Sequence, residues 1–272
     1  MSLPAFMNRG SKPYLLLGLL CVQPVEFWDR LRIFIEGRYE RIRPERGLHR
    51  PVRLETLTAL LRQVVDWDLE GALQETAMRQ IERHVRLLIS SSNENRPFDP
   101  RHSADLSFAC FCYAVCRTLL PNTVIETGVA YGVTTSFVLQ ALTQNQRGRL
   151  WSIDLPPLCP TADQSVGLFV PQELRTDWHL ERGATRRHLP GMLSRLRTVD
   201  LFIHDSLHTR SNMMWEFERV WPHLRPGGVL IADDVQGQPA FEEFVARRNP
   251  QFSAIVIEEN KDAAFGVALK GP

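Results

Sequence analysis

Residues 124–136 read VIETGVAYGVTTS, and the fold turns on how that run is parsed. Val124 and Ile125 favour a strand, Gly128 and Gly132 permit a tight turn and close backbone approach, and Thr134 and Thr135 fall where a helix would begin. The stretch therefore reads as strand, turn and helix, with free helix amides that favour an anionic or nucleoside ligand. An ordinary strand-to-helix crossover has the same pattern, since short glycine motifs recur throughout α/β proteins.

Working outward, residues 101–272 alternate helices with short β-branched runs, the pattern of a parallel sheet covered on both faces. Strands are predicted at 123–127, 149–154, 178–182, 199–205 and 228–233. Helices are predicted at 103–120, 134–145, 185–196, 211–224 and 239–248. Residues 253–259 and 263–270 are two further strands joined by Asn260-Lys261-Asp262, so the last strand should run antiparallel. Residues 1–100 show helical periodicity instead, with helices predicted at 24–40, 54–65 and 69–90. Leu73, Ala77, Ile81, Val85 and Leu88 mark one face that needs a partner. This region reads as a helical cap and oligomerisation region, joined to the remainder through the polar, proline-containing segment SSNENRPFDP at 91–100.

The 272 residues suffice for one large domain with a helical extension. A net charge of +1 gives no global field for nucleic acid or an anionic membrane, so neither is an expected partner. Eight arginines fall between Arg30 and Arg53, but Glu36, Glu40 and Glu45 are interleaved with them, as on a solvated helical face or a subunit contact. Five cysteines argue against a disulfide framework and fit a reducing cytoplasm. Cys110, Cys112 and Cys116 lie in the apolar run SFACFCYAVC and read as small core side chains. The apolar run 14–22 is too short to span a bilayer and is followed by Gln23-Pro24-Val25-Glu26, not by a small-residue cleavage site. A cytoplasmic location is the expectation.

Ligands of a doubly wound sheet bind beyond the carboxyl ends of its strands, which makes the terminal residues informative. Successive strands end at Glu126-Thr127-Gly128, Asp154, Gly183-Ala184-Thr185, His204-Asp205-Ser206-Leu207-His208 and Asp233-Asp234. Asp154 lies 26 residues after Gly128, where an acid can accept hydrogen bonds from ribose hydroxyls; the alternative is a helix cap or solvated turn. Ala130 holds the second small position and no third glycine follows, so the pyrophosphate fingerprint is absent and a dinucleotide dehydrogenase is disfavoured. Asp205, Asp233 and Asp234 end neighbouring strands. Carboxylates that close repel unless a cation is present, and oxygen ligands suit Mg²⁺, Mn²⁺ or Ca²⁺. His208, three residues past Asp205, is placed for general-base work, whereas strand alternation turns His204 to the other side, as a structural histidine. Trp178, Trp215 and Trp221 read as core residues, not stacking platforms.

Taken in order, ETGVAYGVTTS, WSIDLP, ERGATRRHLP, DLFIHDSLH and LRPGGVLIADDV resemble the class I S-adenosylmethionine-dependent methyltransferases, in particular the metal-dependent catechol and caffeoyl-CoA type O-methyltransferases. The resemblance covers about residues 101–272. It implies a Rossmann-like doubly wound sheet with an antiparallel last strand. It also implies that Glu126, Thr127, Gly128, Gly132 and Thr134 belong to the cofactor-binding corner. Asp154 would hold the ribose, Ala184 and Thr185 would flank the adenine, and Asp205 would border the cofactor as well as the metal. Asp205, Asp233 and Asp234 match the metal ligands, which implies Mg²⁺ or Mn²⁺. Two positions depart from that pattern: Asp234 stands where asparagine is common, and His208 where lysine is common.

The implied reaction is in-line attack of a substrate hydroxyl on the sulfonium methyl, with His208 taking the proton. The expected acceptor is a small hydroxylated molecule such as a sugar, glycoside or phenol, and a homo-oligomer is expected. The alternatives are a metal-independent methyltransferase acting on nitrogen and a catalytically silent cofactor-binding module.

Overall fold

The computed structural model describes residues 12–42, 51–91, 97–98, 106–159, 161–258 and 263–272. Seven strands form one sheet: β1 (Thr123–Thr127), β2 (Arg149–Asp154), β3 (Trp178–Arg182), β4 (Val199–His204), β5 (Leu224–Ala232), β6 (Phe252–Ile257) and β7 (Ala264–Leu269). Their spatial order is β3-β2-β1-β4-β5-β7-β6, with β7 antiparallel to both β5 and β6. The strand direction expected from the 253–270 region is therefore observed, while its joint at 260–262 lies outside the described residues. The chain order reverses between β1 and β4, and a crevice opens at such a switch point.

The helices are α1 (Lys12–Val22), α2 (Pro24–Ile42), α3 (Leu54–Val64), α4 (Leu69–Leu73), α5 (Thr76–Ser90), α6 (Leu106–Leu119), α7 (Val133–Asn145), α8 (Ala162–Ser165), α9 (Thr185–Leu196), α10 (Arg210–Val220) and α11 (Ala240–Arg248). Strand alternation divides the core in two. Val124, Leu201, Ile203, Val229 and Ile231 face the side covered by α3 to α7. Ile125, Phe202, Leu230 and Ala232 face α9, α10 and α11. Leu57, Leu61, Ile81 and Val85 from the amino-terminal third are buried in the first core together with Phe108, Phe111 and Phe137. Helices α3 to α5 are thus one layer of the sheet's covering, continuous with α6 and α7.

Two boundaries differ from the sequence expectation for visible reasons. The helix expected over 69–90 is two helices: Asp68 caps the start of α4 through the Gly71 amide at 2.9 Å, and Glu75, with ψ 141°, leaves helical geometry between α4 and α5. The Glu75 carboxylate is drawn inward by the Tyr113 hydroxyl and the Arg117 guanidinium. β5 begins at Leu224, ahead of the expected 228, since Leu224 pairs with Val199 before the register shifts to Leu201 and Val229. Of the joint expected at 91–100, only Ser91, Pro97 and Phe98 are among the described residues.

Helix α2 crosses the rim formed by the strand ends. Its residue Phe27 is buried, but most of its attachments are polar. Arg30 donates to the Pro156 carbonyl at 2.7 Å, Arg187 pairs with Asp29 at 2.8 Å, and the Thr209 hydroxyl donates to Glu36 at 2.5 Å. Among the described residues no helix is long and apolar enough to cross a membrane.

Candidate active site

A cavity of about 640 Å³ lies at the carboxyl ends of the strands, a size suited to a small-molecule ligand. Its floor begins where β1 stops. Gly128 has φ +86°, and a Cβ there would lie 1.8 Å from the Asp205 carbonyl oxygen, so only glycine lets the ends of β1 and β4 come together. Gly132, at φ +84°, caps α7 and is packed against Gly167 and Val170.

Asp154 closes the next wall. Its Oδ1 accepts from the amides of Val129 at 2.9 Å and Ala130 at 3.4 Å, which fixes the turn after β1. Its Oδ2 is buried with no hydrogen-bond partner, although the residue lines the cavity. A buried carboxylate oxygen without a donor is costly, and a vicinal diol supplies donors of the right kind. Burial raises the Asp154 pKa, against the two backbone hydrogen bonds. Ala184 and Thr185 face the same space from the start of α9.

Not every residue of the expected cofactor corner reaches the cavity. Gly128, Asp154, Ala184, Thr185 and Asp205 line it; Glu126, Thr127, Gly132 and Thr134 sit behind its wall. Glu126 is fully buried, accepting from the Ser152 hydroxyl at 2.7 Å and the Thr135 hydroxyl at 2.9 Å. Desolvation pushes its pKa up to about 8. Thr127 donates to Glu216 at 2.7 Å, and Thr134 Oγ1 is buried without a partner.

Glu216 of α10 gathers the underside of the rim. It accepts from Thr127, from Ser206 Oγ at 2.9 Å and from Asn212 Nδ2 at 3.0 Å, and its Oε2 lies 2.7 Å from His204 Nδ1. Burial opposes its charge, but His204 and the hydroxyl donors hold its pKa down to about 2. Burial lowers the His204 pKa, so the imidazole is a neutral donor to a fixed carboxylate. His204 accordingly has a structural place, turned away from the cavity.

The acids at the ends of β4 and β5 meet as the sequence order implied. Asp205, His208 and Asp233 offer ligand atoms within 4.8 Å of one another, and so do Asp233, Asp234 and Glu258. The expected ligands Asp205, Asp233 and Asp234 are therefore split between two groups that share Asp233. His208 Nδ1 is 3.0 Å from Asp234 Oδ2, and Nε2 is 3.6 Å from Asp205 Oδ1. Burial pulls the imidazole pKa down, but the two carboxylates outweigh it and raise the pKa to about 10. Desolvation, with Asp205 and Asp234 adding to it, raises Asp233 to about 7. Asp233 Oδ1 is buried without a hydrogen-bond partner, as expected of an oxygen shaped to meet a cation. The oxygen-rich donor set fits a hard divalent ion.

Two contributions escaped the sequence reading. Asp29, Arg32, Ile33 and Glu36 of α2 form the cavity's outer wall. A polar helical stripe at spacing 29, 32, 33 and 36 was the available signal, and it was indistinguishable from a solvated face. Glu258, directly after β6, carries no sequence signal beyond its place in the expected strand 253–259.

The strand order, with β7 antiparallel between β5 and β6, and the crevice beyond the strand ends give the chain the fold of the class I S-adenosylmethionine-dependent methyltransferases. Residues 125–235 match the family model described as a methyltransferase domain. Among solved structures, similarity is found to the O-methyltransferase TomG from Streptomyces achromogenes, solved with S-adenosylmethionine, at 16% identity and TM-score 0.54, covering 73% of this chain and 91% of that one. The O-methyltransferase from Bacillus cereus with S-adenosylhomocysteine matches at 13% identity and TM-score 0.50, over 72% and 92% of the two chains. The Podospora anserina methyltransferase PaMTH1, bound to S-adenosylhomocysteine, matches at 12% identity and TM-score 0.51, over 82% and 99%. No curated protein matches this chain in sequence.

Proposed function

We propose that the chain is an O-methyltransferase that moves the methyl group of S-adenosylmethionine to a hydroxyl of a small molecule such as a sugar, glycoside or phenol. The observation that carries this reading is that one cavity is lined by both Asp154, with its unpaired oxygen, and the Asp205, His208 and Asp233 cluster. The first is a nucleoside anchor and the second a device for handling a hydroxyl proton. The O-methyltransferases with the same fold support the reading.

S-adenosylmethionine would supply an electrophilic sulfonium methyl. Asp154 holds the ribose, the turn at Gly128 lets the chain approach the bound molecule closely, and Ala184 and Thr185 border the base. Helix α2 closes the outer wall and excludes water from the acceptor. A divalent ion on Asp205 and Asp233 would offset their negative charge, orient the acceptor hydroxyl and lower its pKa. His208 takes the hydroxyl proton on Nε2 while Asp234 fixes the ring through Nδ1. The ring must be neutral to do so, and Asp205 and Asp234 favour its protonated form, so neutralising Asp205 is a condition of turnover.

The test follows release of S-adenosylhomocysteine across a panel of hydroxylated sugars and phenols, with Mn²⁺ or EDTA. In the active pairing, His208→Ala should lower kcat by about 10²-fold or more with S-adenosylhomocysteine affinity kept. Activity near wild type would remove His208 as the base. Turnover unchanged in EDTA would remove the ion from the reaction, and transfer confined to amines would replace the hydroxyl acceptor.

A further inference from the structure

Asp233 belongs to two triads of candidate ligand atoms, and only one of them lines the cavity with all three members. Asp205, His208 and Asp233 all line it. In the other triad Glu258 lies behind the wall, only 1% exposed, at the end of β6 where its amide donates to the Ala263 carbonyl at 3.0 Å. Asp233 is equally buried, and its Oδ1 has no hydrogen-bond partner. Acids gather at strand ends for many reasons, but an orphaned oxygen inside such a group marks a place where a positive charge is wanted.

Charge strengthens the point. Glu258 adds a further carboxylate to the three at the ends of β4 and β5. Asp205, Asp233, Asp234 and Glu258 bring four negative charges together, twice what one divalent ion neutralises.

We propose that Asp233, Asp234 and Glu258 form a second, inner divalent-cation site, with Asp233 shared between it and the cavity-facing triad. Its oxygen-only donors suit Mg²⁺, Mn²⁺ or Ca²⁺. The outer ion would sit on the Asp205 and Asp233 carboxylates and draw on the same hard cations, with His208 beside it as the base. The inner ion braces the loop after β5 against the end of β6, so that Asp233 and Asp234 are held in place for the outer site. Only the count of two ions rests on the metal-assisted reading above; the inner site does not depend on it.

Full-length protein stripped with EDTA is titrated with Mn²⁺ alone, with bound ion counted by calorimetry and by electron paramagnetic resonance. Wild type should bind two ions per chain, and Glu258→Gln and Asp205→Asn one each. In Asp205→Asn, which leaves the inner triad whole, Mn²⁺ should raise Tm. One ion in wild type, lost in Asp205→Asn and kept in Glu258→Gln, would overturn the inner site and leave the metal-assisted reading standing. One ion with the reverse pattern would support the inner site and remove the ion from catalysis. No bound ion would overturn both. Should Glu258→Gln not fold, the count in Asp205→Asn decides: one supports the inner site and none refutes it.

Discussion

Arg182 Nη1 lies 2.6 Å from Glu26 Oε2 and so fastens the end of β3 to helix α2 across 156 residues of sequence. Glu26 also receives Arg30, itself bonded to the Pro156 carbonyl after β2. One carboxylate thus ties the cavity's outer wall to β2 and β3, the strands on the Asp154 side of the cavity.

Because these guanidinium partners overcome the effect of burial and lower the Glu26 pKa, the clasp contributes stability above the ordinary glutamate range and loses it as pH falls through the folded-state value. Glu26→Gln should weaken it by about 1 kcal/mol, which corresponds to about fivefold faster dissociation of S-adenosylhomocysteine. Stopped-flow release measured at neutral pH checks this; an unchanged rate would show that α2 does not gate the cavity.

Glu126 has the opposite sign. Its folded-state pKa of about 8 lies above the unfolded value of 4.5, so the folded protein keeps a proton that the unfolded chain releases. Stability should therefore fall as pH rises from 4.5 to 8 and level off beyond. Glu126→Gln removes that slope, and above pH 8 it should exceed wild type by on the order of a few kcal/mol in urea unfolding. A variant that parallels wild type at every pH would contradict the buried, protonated state.

The Glu216–His204 pair is the matching test beneath the rim. With Glu216 held down to about 2, its contribution is complete above 4.5 and is lost only as pH falls toward 2. Glu216→Gln leaves the buried His204, Thr127 and Asn212 with a neutral partner and should cost about 1.5–3 kcal/mol in denaturant unfolding at pH 7. A cost below about 1 kcal/mol would mean that the network is relaxed by water.

Much of the architecture was legible in the sequence, because strand cores such as Val199 to Ile203 are continuous apolar runs and each ends in a polar or acidic residue on the same rim. Chain order alone placed Asp205 beside Asp233. What could not be read was anything set by contacts distant in sequence. Glu126 carries the same residue type as a ligand contact would, yet Ser152 and Thr135 turn it into the wall. Arg30 looked like part of a solvated face and proves to be enclosed between Glu26 and Pro156. Glu258 gave no signal, because its nearness to Asp233 depends on the antiparallel return of β7 between β5 and β6. His208 was legible by position but not by charge state, since its two carboxylate neighbours are fixed only by the folded loop.

The claim most exposed to refutation is that Asp154 anchors a nucleoside through the oxygen the fold leaves unpaired. Calorimetric titration with S-adenosylhomocysteine tests it directly. Wild type should bind, Asp154→Ala should bind about 10- to 100-fold more weakly, and Asp154→Asn, which keeps an acceptor for the Val129 and Ala130 amides, should fall between them. Equal affinity in a folded Asp154→Ala protein, or no binding of S-adenosylhomocysteine and S-adenosylmethionine to wild type, would contradict the account.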